Sequence, residues 1–199
     1  MNGFERRRQQ KMEQIRHAAL SLFTQFGVQK VNIQEIAKKA NVSQVTIYNY
    51  FGSKDELVFD VIEYLYEQQL KELNEIIKSD MPFLKKVEQM IHFKMSNTKK
   101  FSPEFLKAIL IENPRLSKFS REFTEKKMMP VLTDFFETGK KEGAISQDIS
   151  LETMILFLNI LSEGLKNYTE YLIDSEQKNR FTNEIIHMFF YGIVGKNEK

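Results

Sequence analysis

The chain is predicted to be all helical: a three-helix N-terminal head with a helix-turn-helix, joined by a long helix to a larger helical C-terminal domain. Three observations predict it. Apolar residues recur at helical spacing along nearly all of the 199 residues. Eight Gly and four Pro are too few for a strand-and-turn protein. Most of them stand where a helical pattern starts, stops or is interrupted.

Ile15, Ala18, Ala19, Leu22, Phe23 and Phe26 fall at i, i+3, i+4, i+7, i+8 and i+11, one face of a helix that Gly27 ends. Asn32 and Glu35 have capping-box spacing and open a short second helix with Ile33, Ile36, Ala37 and Ala40 inward. Asn41, a residue that tolerates positive φ, then occupies the turn. Ser43 caps a third helix from Gln44 to Tyr50, with Val45, Ile47 and Phe51 as its apolar positions, and Gly52 breaks it. Ser53 and Glu56 repeat the capping-box spacing and open a long helix striped by Leu57, Val58, Val61, Ile62, Leu65, Leu73, Ile76 and Ile77. At 1.5 Å per residue this rod is about 37 Å long. Residues 82–99 form the next helix, and Ser102-Pro103 and Asn113-Pro114 each pair a cap with proline at the first helical position. Pro130 is expected to kink or split a helical stretch from Arg115 to Lys141. Two last helices are expected over about 150–172 and 177–193.

Composition excludes several classes. Cysteine is absent, so there are no disulfides, thiolate metal sites or cysteine nucleophiles. His17, His92 and His187 are isolated, without His-x-x-x-His or Glu-x-x-His spacing, so no metal site is expected. Neither a glycine-rich phosphate loop nor a nucleophile motif occurs; no catalytic residue and no cofactor are expected, and the chain is not read as an enzyme. The strongest apolar run, Met154 to Leu161, is far short of the ~18 residues a membrane span needs, and no secretory signal is visible. A cytoplasmic protein with no membrane partner is expected.

Charge is distributed unevenly. Residues 1–54 carry nine basic and three acidic side chains, a net +6, whereas the remaining 20 basic and 24 acidic residues give −4. A basic head on an acidic body points to a polyanion partner for the head. Within that head, small Ala37 permits close approach of two helices, and Ile36, Val42 and Ile47 supply the wedge between them. The third helix presents Gln44, Thr46, Tyr48 and Asn49, all hydrogen-bonding types with no negative charge. Gln and Asn can each make a bidentate pair with adenine in the major groove, while Tyr48, Thr46 and Lys54 suit phosphate oxygens. Arg6-Arg7-Arg8 is read as a solvated, frayed end that adds non-specific attraction rather than sequence readout.

The run from Asn32 to Leu57, NIQEIAKKANVSQVTIYNYFGSKDEL, resembles the signature of TetR/AcrR-type transcriptional regulators. The upstream Ala18-Ala-Leu-x-Leu-Phe-x-x-x-Gly27 is similar to that family's first helix. The resemblance is close over about residues 9–69. Beyond them it extends only to helix number, length and order. Asn41 stands where the family usually has glycine and Asn32 where it usually has threonine; both substitutes do the same physical work. The resemblance implies a DNA-binding domain over 9–69, with the helix-turn-helix at about 32–51, and an effector-binding and dimerisation domain over 70–199. Carried over by position, the implied DNA contacts are Asn32, Gln34, Ser43, Gln44, Val45, Thr46, Tyr48, Asn49 and Lys54. Val45 would at most touch a thymine methyl, so sequence preference is expected to rest on Gln34, Gln44 and Asn49. Tyr50 is a weaker candidate.

Seven of the eight residues from Met154 to Leu161 are apolar, and Phe181, Ile185, Ile186, Met188, Phe189, Phe190 and Ile193 exceed a single stripe. Helices apolar nearly all round need covering on nearly all sides, which two copies of 150–172 and 177–193 would provide. A homodimer on a palindromic double-stranded DNA operator is therefore expected, acting by family default as a repressor released by a small apolar or amphipathic effector. Phe105, Met128, Met129, Phe135 and Phe157 are read as core before they are read as an effector pocket, whose residues stay unassigned. The rival reading is a helical adaptor that binds an acidic partner without DNA specificity.

Overall fold

Helices form where apolar periodicity and capping residues coincide. The computed structural model describes residues 3–157 together with Ile160, Arg180, Glu184, His187 and Met188. Its elements are helices: α1 (Gly3–Phe26), α2 (Ile33–Lys39), α3 (Gln44–Phe51), α4 (Lys54–Lys78), α5 (Phe83–Lys99), α6 (Pro103–Lys107), α7 (Pro114–Phe123) and α8 (Met129–Lys141). Wider helical turns over Ala108–Glu112 and Thr124–Met128 follow α6 and α7. The chain divides into two compact units, one from residues up to 69 with 100–120, the other from 70–99 with 121 onward.

The first unit is built on α1. Ile15, Ala19 and Phe23, four residues apart, are fully buried and meet Ile36 of α2, Ile47 of α3, and Leu57, Val61 and Ile62 of α4. Each of the larger side chains taken from water contributes about 1.5–3 kcal/mol. Arg16 of α1 grips the Asp60 carboxylate of α4 through Nε and through Nη2, the latter at 2.9 Å. That partner favours the charged guanidinium still further. Contrary to the expectation of a loose end, α1 is helical from Gly3.

The segment 101–120 packs into this same unit. Phe105, Ala108, Ile109 and Leu116 are buried in its core, and Phe119 sets its ring edge-on against Phe59 and Tyr66 at 5.2 and 5.6 Å. Ser102 N–H donates to the Thr24 carbonyl at 2.7 Å. Gly27, at φ +82°, is required twice there: any Cβ would also lie 2.8 Å from the Glu104 Cβ. The Lys30–Glu104 pair at 3.2 Å is more than half exposed at both ends. An exposed pair contributes only about 0–1 kcal/mol, so the apolar side chains hold the segment.

The second unit gathers Leu73 from the end of α4, Phe83, Val87 and Met90 of α5, Phe135 and Phe136 of α8, and Ile145 and Met154. Phe83 stacks on Phe135 at 4.6 Å. The expected interruption near Pro130 takes the form of a widened turn. Proline has no N–H to continue the α pattern, and one step earlier the Met129 N–H reaches back five residues to the Thr124 carbonyl. Phe105 and Phe135 serve as core in different units, and Phe157 is exposed. Ser150 caps the next helix by accepting the Thr153 N–H at 3.1 Å, and residues 151–157 are helical. Apart from those residues and the five named above, the segments 150–172 and 177–193 expected to pair two copies lie outside the described residues.

Gly139 of α8 is a tight point of the second core, because a Cβ there would stand 2.4 and 2.6 Å from two carbons of the Phe83 ring. Gly139→Ala should therefore destabilise the protein by about 1–3 kcal/mol, the usual cost of overpacking. Urea denaturation followed by circular dichroism measures it, and an unchanged midpoint would show that the ring yields freely.

Candidate nucleic-acid interface

The geometry of α2, α3 and the start of α4 follows from four local devices. At the head of α2 the Asn32 Oδ1 accepts the Glu35 N–H at 2.9 Å, and the Glu35 carboxylate accepts the Asn32 N–H at 2.8 Å. This reciprocal box holds the Glu35 side chain against the start of its own helix. At the tail of α2, Asn41 adopts φ +51° and Val42 N–H returns to the Ala37 carbonyl at 3.0 Å. That turns the chain sharply into α3. Ser43 starts α3, its Oγ accepting the Thr46 N–H at 3.0 Å, and Gly52 at φ +81° ends it.

The rotation of α3 is set by its inner face, where Ile47 is fully buried and Phe51 nearly so. At 3.6 residues per turn, burying those positions sends Gln44, Val45, Tyr48 and Asn49 outward together, and all four are exposed. Val45, at 66% exposure, stands as an apolar spot among hydrogen-bonding side chains. Thr46 does not join this exposed set: it is half-buried, with its hydroxyl 2.8 Å from the Ser43 Oγ at the start of its own helix. Gln34 is exposed in the first turn of α2, and Lys54 is half-buried as the first residue of α4. Asn32 and Ser43 have side-chain oxygens committed to capping.

The predicted Ser53–Glu56 box is only half made. Ser53 Oγ accepts the Glu56 N–H at 3.1 Å, but the Glu56 carboxylate leaves the helix end for Arg115, which donates to it at 2.6 and 2.9 Å. The guanidinium also lies 4.0 Å from the centroid of the Phe59 ring. Hydrogen bonds from Arg115 hold the Glu56 carboxyl below the usual glutamate range. Arg115 thus neutralises a carboxylate two residues from Lys54. It is a contributor that sequence reasoning missed, since 59 residues separate the pair and no local signal joins them.

Chemically, the face offers amides, a phenol and a methyl-bearing side chain, with no carboxylate on α3. A helix of eight residues is about 12 Å long, and the major groove of B-DNA is about 12 Å wide. Among the described residues no cluster of His, Cys, Asp and Glu could hold a metal ion, and no helix is long and apolar enough to cross a membrane.

Comparison with known proteins converges on this segment. Residues 15–61 match the family model described as bacterial regulatory proteins, tetR family. The HTH-type transcriptional regulator YhgD of Bacillus subtilis (strain 168) is 29% identical over 135 residues, covering 66% of this chain and 70% of its own. Two further curated relatives are matched over less than half of their own length. Among solved structures, a TetR-family regulator from Mesorhizobium loti superposes with a TM-score of 0.68 at 18% identity, over 95% of this chain and 99% of that one. FadR of Bacillus subtilis, solved in complex with stearoyl-CoA, superposes with a TM-score of 0.64 at 20% identity, over 91% and 98%. At these identities the structural likeness speaks for the fold.

The Arg115–Glu56 pair makes a pH-dependent contribution whose sign follows from the lowered carboxyl. It is present above the ordinary glutamate range and is lost as pH falls through the depressed value in the folded state. In Arg115→Gln the Glu56 carboxyl should titrate at higher pH, near an ordinary glutamate, when followed by NMR. The part of any stability difference that comes from the Glu56 pair should vanish in acid, leaving only what the Phe59 contact contributes. A Glu56 titration unmoved by the substitution would contradict the assignment.

Proposed function

We propose that the chain, whose residues 15–61 match the model of the tetR family of bacterial regulatory proteins, is a DNA-binding regulator of transcription, a homodimeric repressor released from a palindromic operator by a small-molecule effector. The observation that carries the DNA side of this reading is the outward face of α3, with Gln44, Val45, Tyr48 and Asn49 exposed together on a head without a competing carboxylate on that helix. Gln44 and Asn49 address base edges, helped by Gln34, and Val45 meets a thymine methyl. Tyr48 and Lys54 hold phosphates through their side chains, Asn32 and Ser43 through the helix ends they cap, and Thr46 contributes only where its hydroxyl exchanges the Ser43 partner for a phosphate oxygen.

The dimer has support in exposed apolar residues. Leu156, Phe157 and Ile160 are 59%, 41% and 58% exposed in a single copy, as is Met188 at 71%. The first three fall at i, i+1 and i+4 along the chain. A two-fold pair of heads then reads two inverted half-sites. We assign DNA binding to residues 9–69, with 100–120 packed on them as support, and effector binding and dimerisation to the rest of the expected body over 70–199. The FadR complex with an acyl-CoA on the same fold supports an apolar or amphipathic effector. Release follows from population shift: an effector that prefers one conformation tilts α4 and with it the head, whereas a ligand of equal affinity for both states changes nothing.

Titration of the purified chain with duplex at several salt concentrations tests this reading. Neutralising about six phosphates per dimer predicts a log–log slope near −5. A flat salt response would favour an adaptor that binds an acidic protein. Gln44→Ala should lose about 1–3 kcal/mol selectively at one base position, and Lys54→Ala should weaken all sequences alike. Equal losses on specific and random DNA for Gln44→Ala would remove it as a base reader. Sedimentation should give a dimer, and a stable single copy would remove the palindrome.

A further inference from the structure

The arginine triplet near the N-terminus is left unused by the reading above, and its structure differs from a solvated tail. The helix α1 begins at Gly3, so Arg6, Arg7, Arg8 and Lys11 ride on regular helix. Every side chain from Glu5 to Lys11 is exposed, and burial begins only with half-buried Met12 and buried Ile15. The side chains from Glu5 to Lys11 are thus not among those buried in the core. Their cations also stand at the positive end of the helix dipole, where anions are favoured. Four cations face one carboxylate, Glu5, over this stretch, and among the described residues no ion pair engages the triplet.

Direction supplies the second observation. Arg8 lies at i−4 and i−7 from Met12 and Ile15, on the face of α1 that packs on the head. Its guanidinium sits over the Tyr50 ring, 5.9 Å from the centroid, and Tyr50 follows Asn49 on α3. Lys11, one turn beyond Arg7, opens onto a shallow groove lined also by Gln14, His17, Lys39 and Asn41. No acidic residue is among its lining, and Asn41 is two residues from the cap of α3. Arg8 thus lies by the C-terminal end of α3, and Lys11 shares a groove with Asn41, which precedes its N-terminal cap.

We propose that the first turns of α1 form a second DNA-binding element, a cationic ridge set beside α3 by the Arg8–Tyr50 contact, which takes backbone phosphates flanking the bases that α3 reads. The proposal rests on the DNA-binding reading and extends it to residues that bind phosphate without choosing sequence. The dipole penalty is relieved when phosphates approach, so the ridge gains most in the complex.

Hydroxyl-radical footprinting and salt-dependent titration of the full chain on its selected duplex test it. Arg6, Arg7 and Arg8 are replaced together by Ala in one variant. A second variant, Tyr50→Leu, keeps every charge and removes the ring. In the triple variant the log–log slope becomes shallower by about 0.9 for each phosphate no longer neutralised. Backbone protection outside the half-sites disappears, and the order of preference among duplex sequences is unchanged. Tyr50→Leu loses the flanking protection too. An unchanged slope with intact flanks in the triple variant overturns the ridge, and flanking protection that survives Tyr50→Leu overturns its placement by Tyr50. A parent chain that protects its half-sites and nothing beyond them refutes this inference alone. A parent with a flat salt response refutes the DNA reading beneath it.

Discussion

The burial of Ile47 and Phe51 beneath α3 is the constraint on which the rest of the head depends. An isolated helix of eight residues is too short to persist in water, since nucleation outweighs the few hydrogen bonds gained. Its existence and its rotation are therefore decided together by the core that receives those two side chains. A fully buried isoleucine contributes about 1.5–3 kcal/mol, compared with about 1 for a serine cap. Ser43 and Gly52 consequently decide where α3 starts and stops, whereas Ile47 decides which way it faces. Once that face is inward, Gln44, Val45, Tyr48 and Asn49 have nowhere to point but outward.

The remainder of the first unit keeps that core closed. Phe105, Ile109 and Leu116 reach it from far along the chain, and Phe119 stacks edge-on against α4 residues. Exposed polar pairs around this contact add little energy but place charge with purpose. Arg115 covers Glu56, and the α2 box occupies Glu35, so two carboxylates close to the polar face are spoken for. The positive charge of the head still comes from its excess of bases, nine against three acids over residues 1–54, and the Arg115 pair fixes only where one negative charge sits.

Much of this is legible in the sequence because it is local. Capping at Asn32 and Ser43, positive φ at Asn41 and the Ile36–Ala37–Ile47 packing are each written in residues a few positions apart, and the structure contains them all. Thr46 departs from the expected outward set because a hydroxyl bonded to its own cap has the same spacing as one aimed at solvent. Features carried by distant partners leave no such signal. Neither the Arg115–Glu56 pair nor the packing of 101–120 on the head follows from periodicity. The helical N-terminus of α1 is hidden for the opposite reason: its cations follow no apolar stripe, and absence of a stripe reads as a tail. In the second unit the excess of apolar residues from Met154 onward calls for a cover, and composition alone does not name it.

Selection of bound duplexes from a random pool by the purified chain bears most directly on the claim that α3 presents a reading surface. Two inverted copies of one short motif, with centres one helical turn or a multiple apart, are predicted among the recovered fragments. Recovery of a pool no different from the input would show that the outward amides of α3 do not read base edges.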